Sequence, residues 1–289
     1  MPPTPIPFPN WTPAEGLVPL TVSEGVELAA RLPVTPYYVV CYGGLRAGLD
    51  RAFVSGDRSD PDAVIVQHRL SPQEPEYFGR DPEAGWSILA RIPGWTCVNA
   101  SAPDAEALAK IFARELPVPF RPIGDLFYTL VSPPTAPANP AVRLAGPADV
   151  PLLERFDAPV WGSSYRTFEE IVTDGIAAIA IEEGRVVSVA LLTATNGRFG
   201  DVGVHTLEPF RRRGYSAAAA SWVAREVQVR GITPIWSTGS HNLASQRVAA
   251  KVGFQPVGRW AYLVSDHLEA TGGYRPDYGR KTHAAMQTP

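Results

Sequence analysis

The sequence predicts an α/β (α+β) fold, with a mixed central sheet flanked by helices in the C-terminal half and a second α/β half before it. Three observations carry this. Apolar runs of strand length alternate with stretches of helical spacing from residue 141 onward. A break, "VSPPTAPANP" (Val131 to Pro140), separates two halves of similar length, because four prolines among small residues continue neither a helix nor a central strand. Finally, 289 residues at 45% hydrophobic and 19% charged supply cores for one large or two ordinary domains. The expected organisation is an N-terminal α/β domain over 1–132, a proline-rich linker over 133–140, a C-terminal domain over 141–270 and a tail over 271–289.

Taken in order, "MPPTPIPFPNWTP" reads as an extended arm pinned by Phe8 and Trp11. "YYVVCYGGLRAG" suggests a tight turn at Gly43-Gly44. "AVIVQHRL" is a buried strand, "EAGWSILARI" a helix, "WTCVNA" a strand, "DAEALAKIFARE" a helix and "GDLFYTLV" a strand. This half is α/β too, but it carries no assignable chemistry.

The C-terminal half alternates more cleanly. "AVRLAG" is a short strand and "PADVPLLERF" a helix, with Asp149 near its start and Val150, Leu153 and Phe156 near helical spacing. "TFEEIVTDG" is a helix ended by Gly175. "IAAIAIEEGRVVSVALLTA" is two strands joined at Glu183-Gly184, a hairpin signal. Then follow the strand "RFGDVGVHTL", a helix to Gly231, the strand "TPIWST", the helix "HNLASQRVAAKVG" and the strand "QPVGRWAYLV".

The net charge of −3 argues against a general nucleic-acid binder. The two halves differ, at −5 for residues 1–140 and +2 for the rest. Cys41 and Cys97 are the only cysteines, too few for a disulfide framework or a cysteine zinc site, so no metal is expected. Both read as small core residues of a reduced, cytoplasmic protein. No apolar run approaches a membrane span, and the N-terminus has neither the basic nor the apolar region of a signal peptide. The chain is expected to act as a monomer or homodimer.

Chemistry concentrates in "HTLEPFRRRGYSAAAASW", His205 to Trp222. A strand ending at Leu207 and a helix starting near Gly214 make a turn whose backbone N–H groups form a concave anion site. The first helical turn adds unpaired donors and the positive end of the dipole, a receptor suited to a diphosphate. Gly214 lets the main chain approach closely, Ser216 is small, and Arg211, Arg212 and Arg213 add charge. A solvated basic turn with a glycine cap is the alternative. A second segment, "HNLASQRVAAKVGF", follows one helix and one strand later, with Asn242 as helix N-cap and Val248, Val252 and Phe254 as core.

Arg211-x-x-Gly214-x-Ser216 resembles the Q/R-x-x-G-x-G/A signature of the GCN5-related N-acetyltransferases (GNAT). The strand "VGVHTLEPF" and the later "N-x-x-S…K-V-G-F" resemble that family's next elements, so the likeness covers about Val142 to Val264. Thr206, Pro234-x-Trp236 and Asn242-x-x-Ser245 look most like the FR47-like and glycine N-acyltransferase-like branch, which carries a degenerate N-terminal half.

The resemblance implies an acetyl-CoA-dependent N-acetyltransferase that moves an acyl group to an amine of a small molecule or amino acid. The turn from Arg211 through Tyr215 to Ser216 would hold the coenzyme A pyrophosphate. Main-chain groups of Val204 and Thr206 would hold the pantetheine arm, with Asn242 beside the cofactor. The family's fourth strand often splays from its fifth, and a bulge near Gly203 would serve. A backbone N–H near Val204 is the family-like oxyanion donor. The tyrosine that often acts as general acid is replaced by Ala249, and Ser245 one turn earlier is the remaining hydroxyl. Asp201, Gly203 and His205 alternate onto one strand face. Asp201 lies near where relatives carry a catalytic glutamate, and His205 has a suitable intrinsic pKa. Asp201 as a turn residue, and His205 as a packed core residue, are the alternatives.

Two other readings remain open at this level. One is a non-catalytic module of the same fold that senses acyl-CoA or a small ligand, motivated by Ala249. The other is nucleic-acid binding by Arg211 to Arg213, which lacks the interleaved aromatics it would need. Trp161, Tyr165 and Trp260, with Tyr262 nearby on the last strand, could line an acceptor cleft, although aromatics more often pack in cores.

Overall fold

The structure is a computed structural model and describes residues 15–156 and 164–274. The arm with Phe8 and Trp11, the Trp161 position and the residues from 275 onward lie outside the described residues.

The N-terminal half runs α1 (Val22–Arg31), α2 (Val39–Arg46), β1 (Arg51–Asp57), β2 (Asp60–His68), β3 (Ser71–Gly79), α3 (Pro82–Leu89), β4 (Cys97–Ser101), α4 (Ala102–Glu115) and β5 (Arg121–Thr129). The C-terminal half runs β6 (Val142–Leu144), α5 (Val150–Leu153), α6 (Phe168–Thr173), β7 (Ala177–Glu182), β8 (Arg185–Thr195), β9 (Phe199–Thr206), α7 (Tyr215–Val229), β10 (Thr233–Gly239), α8 (Leu243–Val252), β11 (Gln255–Val264) and α9 (Asp266–Thr271). The β-α-α-β-β-β-α-β-α-β order to β11 is the one the sequence predicts. The first half repeats it without the leading strand: two helices, three strands, helix, strand, helix, strand.

Four elements escaped the sequence reading: α1, β1, β3 and α9. Pro72 and Pro75 interrupt the β3 pattern, and prolines argue against a strand interior. Gly43-Gly44 is not a turn but lies within α2. A Cβ at Gly43 would meet the Ala194 Cβ at 2.8 Å, so the glycine serves helix-on-strand contact rather than chain reversal. The "PADVPLLERF" helix is also shorter than predicted, a 3-10 turn at Pro147–Asp149 followed by the single turn of α5.

The described chain forms two compact units. The first holds residues 32–47 and 126–258, and the second holds 15–31, 48–125 and 259–274. In the first, the end of β5 leads the strand order β5-β10-β9-β8-β7-β6. Glu183 (φ 50°) and Gly184 (φ 75°) make the β7–β8 hairpin turn in the left-handed conformation that this turn requires. Helix α7 lies on this sheet through Ala217, Ala218, Ala219 and Ala220, all at most 3% exposed. Four alanines bring its axis close to Ala178, Ala190 and Val202, which a helix of large side chains would not allow. Leu153 and Ile171 of α5 and α6 cover Ile179, Val189 and Leu191.

In the second unit the order is β1-β2-β3-β4-β11-β5, the last represented by its first residues. Leu89 of α3 and Leu108 and Phe112 of α4 pack on Ile65, Tyr77, Val98 and Leu263. No described helix is long and apolar enough to cross a membrane.

Candidate active site

After β9 the chain makes a short 3-10 turn, Glu208–Phe210, and then reaches α7 through Arg211 to Gly214. Arg212 (φ 66°) and Gly214 (φ 84°) both take left-handed backbone. Gly214 is the N-cap and offers no capping side chain. The first intrahelical bond runs from the Ala218 N–H to the Gly214 carbonyl at 3.1 Å, so the N–H groups of Tyr215, Ser216 and Ala217 have no partner within the helix. Nothing lies within 4 Å of where a Gly214 Cβ would be, which leaves this donor cluster open to an anion.

The equivalent turn of the first half is closed. Helix α3 is capped by Asp81, whose carboxylate accepts from the Glu83 N–H at 3.0 Å and the Ala84 N–H at 3.3 Å. The two strand–helix turns thus share an order of elements, but only that of α7 has spare donors. Asp81-Pro82 was the readable signal, since Asp before Pro is a helix-start pattern.

The three arginines do different work. Arg211 Nε donates to the Thr206 carbonyl at 3.2 Å. Arg213 pairs with Glu182 at 3.0 Å and lies over the Phe210 ring at 5.1 Å. Tyr215 donates its hydroxyl to the same Glu182. Arg213 and Tyr215 therefore turn their side chains to β7 and serve the turn's shape, while Tyr215 still presents its N–H. Arg212 is exposed.

Beside this turn the sheet opens. Strands β9 and β10 pair in parallel at Phe199, Gly200 and Asp201, the last opposite Ile235, and the ladder stops there although β9 continues to Thr206 and β10 to Gly239. The Leu207 N–H donates to the Val187 carbonyl at 3.0 Å, which fixes the pleat phase. By alternation, Gly203 and His205 turn their main-chain groups to β8, and Val202, Val204 and Thr206 turn theirs toward the opening. The expected splay is present. Its irregularity lies on β8 between Leu192 and Ala194, opposite Val202 and Asp201, rather than at Gly203.

A hydroxyl chain ties β9 to α7. Ser188 Oγ donates to the His205 carbonyl at 3.1 Å, Ser188 Oγ and Thr206 Oγ1 lie 2.6 Å apart, and Thr206 Oγ1 and Ser216 Oγ lie 2.7 Å apart. The side chains of Thr206 and Ser216 thus anchor the helix start. Ser188→Ala removes a fully buried partner from this chain and should lower unfolding free energy by about 1–3 kcal/mol in a urea titration.

Asp201 and His205 share the face away from α7, and four extended residues place them roughly 13 Å apart. At that distance they do not share a proton. The Thr193 hydroxyl, from the β8 irregularity, donates to the Asp201 carboxylate and to its carbonyl. A Gly203 Cβ would meet Thr193 Cγ2 at 2.6 Å, so Gly203 makes room for that threonine. Burial pushes the Asp201 carboxyl up to about 6, partly offset by the Thr193 hydrogen bond. The His205 ring packs edge-on to Phe156 at 5.9 Å. Burial, and then the Arg211 charge, hold its pKa below the ordinary value, so it is neutral at pH 7.

Asn242 caps α8, accepting from the Ser245 N–H at 3.1 Å, and is exposed. Ser245 Oγ accepts the Trp236 indole N–H at 3.0 Å, which ties β10 to α8. Ala249 is fully buried in the core. Trp260 is buried in the second unit, where it lines a cavity of about 310 Å³ with Ala105, Pro122 and Arg259, and Tyr165 packs beside the α5–α6 core. Thr193, Asp81 and Ser188 are the residues the sequence reading missed. Only Asp81 carried a sequence signal; the other two matter through strand register.

Residues 153–263 match the family model described as GNAT acetyltransferase. Among solved structures, the chain resembles a GCN5-related N-acetyltransferase-like protein from Streptococcus suis at 18% identity, with a TM-score of 0.61 over 84% of this chain and 99% of that one. It also resembles a GNAT-family acetyltransferase from Colwellia psychrerythraea, at 12% identity and a TM-score of 0.56 over 86% and 99% of the two chains. A tandem GNAT protein of the clavulanic acid biosynthesis pathway, solved without acetyl-CoA, is 14% identical with a TM-score of 0.54 over 86% and 97%. No curated protein matches. These likenesses establish the fold, a mixed sheet flanked by helices as in GNAT proteins.

Proposed function

We propose, from a GNAT-type fold whose residues 153–263 match the acetyltransferase family model, that the chain is an acetyl-CoA-dependent N-acetyltransferase acting on the amine of a small molecule or amino acid. The observation that carries this is the uncapped N-terminus of α7 beside the opening between β9 and β10. The residues fit the cofactor. The N–H groups of Tyr215, Ser216 and Ala217, with Arg211 and Arg212, suit a diphosphate. Val204 and Thr206 offer main-chain groups to an amide-bearing arm, although Arg211 already takes the Thr206 carbonyl. Because Asp81 closes the matching turn of α3, we assign cofactor binding to the first unit and a degenerate role to the N-terminal repeat.

When bound, acetyl-CoA supplies a thioester carbonyl open to attack by a neutral amine. Asp201 takes the ammonium proton, directly or through water, since a carboxyl held near 6 is ionised at pH 7 yet more basic than an ordinary aspartate. The Val204 N–H stabilises the developing oxyanion. Ser245, whose oxygen accepts from Trp236 but whose proton is free to be donated, is the hydroxyl available to the leaving thiolate. His205 is the second candidate base. The Thr206, Pro234-x-Trp236 and Asn242-x-x-Ser245 pattern supports the FR47-like, glycine N-acyltransferase-like branch.

Isothermal titration of the full chain with acetyl-CoA tests the first step, and absence of binding overturns the reading. Free thiol release with a panel of small amines and amino acids tests the second. Thiol release that depends on an amine is expected, and binding without it would leave only a ligand-holding module.

A further inference from the structure

The second unit holds a cavity of about 310 Å³ lined by α4, the start of β5 and β11. Every residue that lines it belongs to this unit. The cavity follows from side-chain size. Along α4, Leu108, Ile111 and Phe112 fill the core, whereas the stripe beside them offers only Ala102, Ala105 and Ala109, three and four residues apart. From β5 come Pro122 and Gly124, which reach no further. On β11, Ala261 and Leu263 belong to the core face, and alternation sets Arg259 on that same face. Small side chains on all three elements leave room that no described side chain fills.

The lining is apolar apart from two charges, Glu106 of α4 and Arg259 of β11, both exposed. The register that sets Trp260 opposite Ser101 brings Arg259 level with Ala102, the first residue of α4, and Glu106 stands one helical turn later. Neither side chain has a hydrogen bond or an ion pair to a described residue. This sets Arg259 apart within the unit. Arg58, Arg80, Arg114 and Arg121 each pair with a carboxylate, and Arg31 and Arg91 donate to carbonyls. Arg51 and Arg69 are engaged too, so Arg259 is the one arginine among the described residues of this unit whose charge meets no partner.

An apolar cavity with a cation at one end and an anion one turn away matches a ligand with an apolar body and opposite charges on neighbouring carbons. A planar guanidinium takes a carboxylate through two parallel N–H donors, and a carboxylate accepts from an ammonium. The helix direction agrees, because the positive end of α4 lies at Ala102, on the side of Arg259 where the ligand's carboxylate would sit.

We propose that this cavity binds a free apolar α-amino acid, its side chain against Ala105, Ala109 and Leu263, its carboxylate on Arg259 and its ammonium on Glu106. A purely apolar ligand would leave both charges unused. A simple carboxylic acid would face Glu106, and a simple amine would face Arg259, each a like charge. Binding here uses residues of the second unit alone, so it holds or fails independently of acyl transfer.

The test is isothermal titration of the full chain, without acetyl-CoA, using L-phenylalanine and L-leucine, with 3-phenylpropanoate and 2-phenylethylamine as analogues that each lack one charge. At least one amino acid should bind, and at least tenfold more tightly than either analogue. Arg259→Gln and Glu106→Gln, both at exposed positions, should each weaken that amino acid at least tenfold, with acetyl-CoA titrating as it does in the parent chain. Ala109→Leu, which fills the cavity from a half-buried position of α4, should weaken it at least as much. The proposal is overturned if neither amino acid binds at millimolar concentration, or if an analogue binds within tenfold of the better amino acid. It is also overturned if either charge variant binds that amino acid within tenfold of the parent, which would place the amino acid elsewhere in the chain, as at an acyl-acceptor site.

Discussion

Gly214→Asp should abolish acetyl-CoA binding, raising the Kd at least 100-fold by isothermal titration. The substitution sets a carboxylate at the start of α7, the position where Asp81 takes two helix-start N–H groups of α3, although Asp81 does so from extended backbone and residue 214 is left-handed. It removes donors from the diphosphate and sets a negative charge against it. Two charge-assisted hydrogen bonds at about 1.5 kcal/mol each amount to about 3 kcal/mol, or roughly 100-fold. The fold should survive. Asp is among the few residues that tolerate the left-handed backbone found here at φ 84°, and nothing lies within 4 Å of the new Cβ. Gly214→Asn separates the two effects, because it caps without charge and should fall between parent and Asp. Equal affinity in all three proteins would remove the α7 turn from the binding site.

Asp201→Asn should lower kcat by roughly 100- to 10,000-fold, the range for loss of a general base, with acetyl-CoA affinity unchanged. The same substitution should stabilise the fold at pH 7. The carboxyl has an ordinary value of 3.8 and about 6 in the fold, raised by burial. The folded state therefore holds this proton more tightly than the unfolded chain. Its contribution to stability is fully present below the ordinary value and is lost as pH rises through about 6. At pH 7 the ionised group costs up to about 3 kcal/mol, which Asn avoids. Loss of activity with gain of stability is the signature of a strained functional group, and a merely structural aspartate would not show it. In the parent, kcat/KM should fall with decreasing pH below about 6. Thr193→Val removes the hydrogen bond that favours the ionised form, so that limb should move to higher pH, and Thr193→Ser should restore it. A full rate in Asp201→Asn would pass the role to His205 or to water.

Much of the first unit was legible in the chain. Gly175, Glu183-Gly184, Gly231 and Gly253 punctuate it, and each works locally: the hairpin and helix ends need left-handed backbone at Gly184, Gly231 and Gly253, which glycine adopts without strain. The site's turn was legible for the same reason, since Gly214 and the alanines after it act through local geometry. The role of the arginines was not. At most one or two of the three could face an anion, and which ones is a matter of partners far along the chain: Glu182 of a distant hairpin takes the side chains of Arg213 and Tyr215, and the Thr206 carbonyl takes Nε of Arg211.

In the second unit, local signals failed where a strand is polar for a non-local reason. Strand β3 carries Pro72, Glu74, Pro75 and Glu76, which no periodicity argument assigns to a sheet. It is held by its register with β2 and by Asn99 of β4. The sequence by itself determined the element order from β6 to β11 and the open helix start, because hydrophobic period, turn glycines and capping residues act within a few positions. Only the tertiary structure decided that β9 parts from β10 after Asp201, that Thr193 reaches Asp201 across the irregular ladder, and that β11 brings Arg259 to the start of α4. Each depends on which strands pair and in what register, and register is set by contacts far apart in the chain.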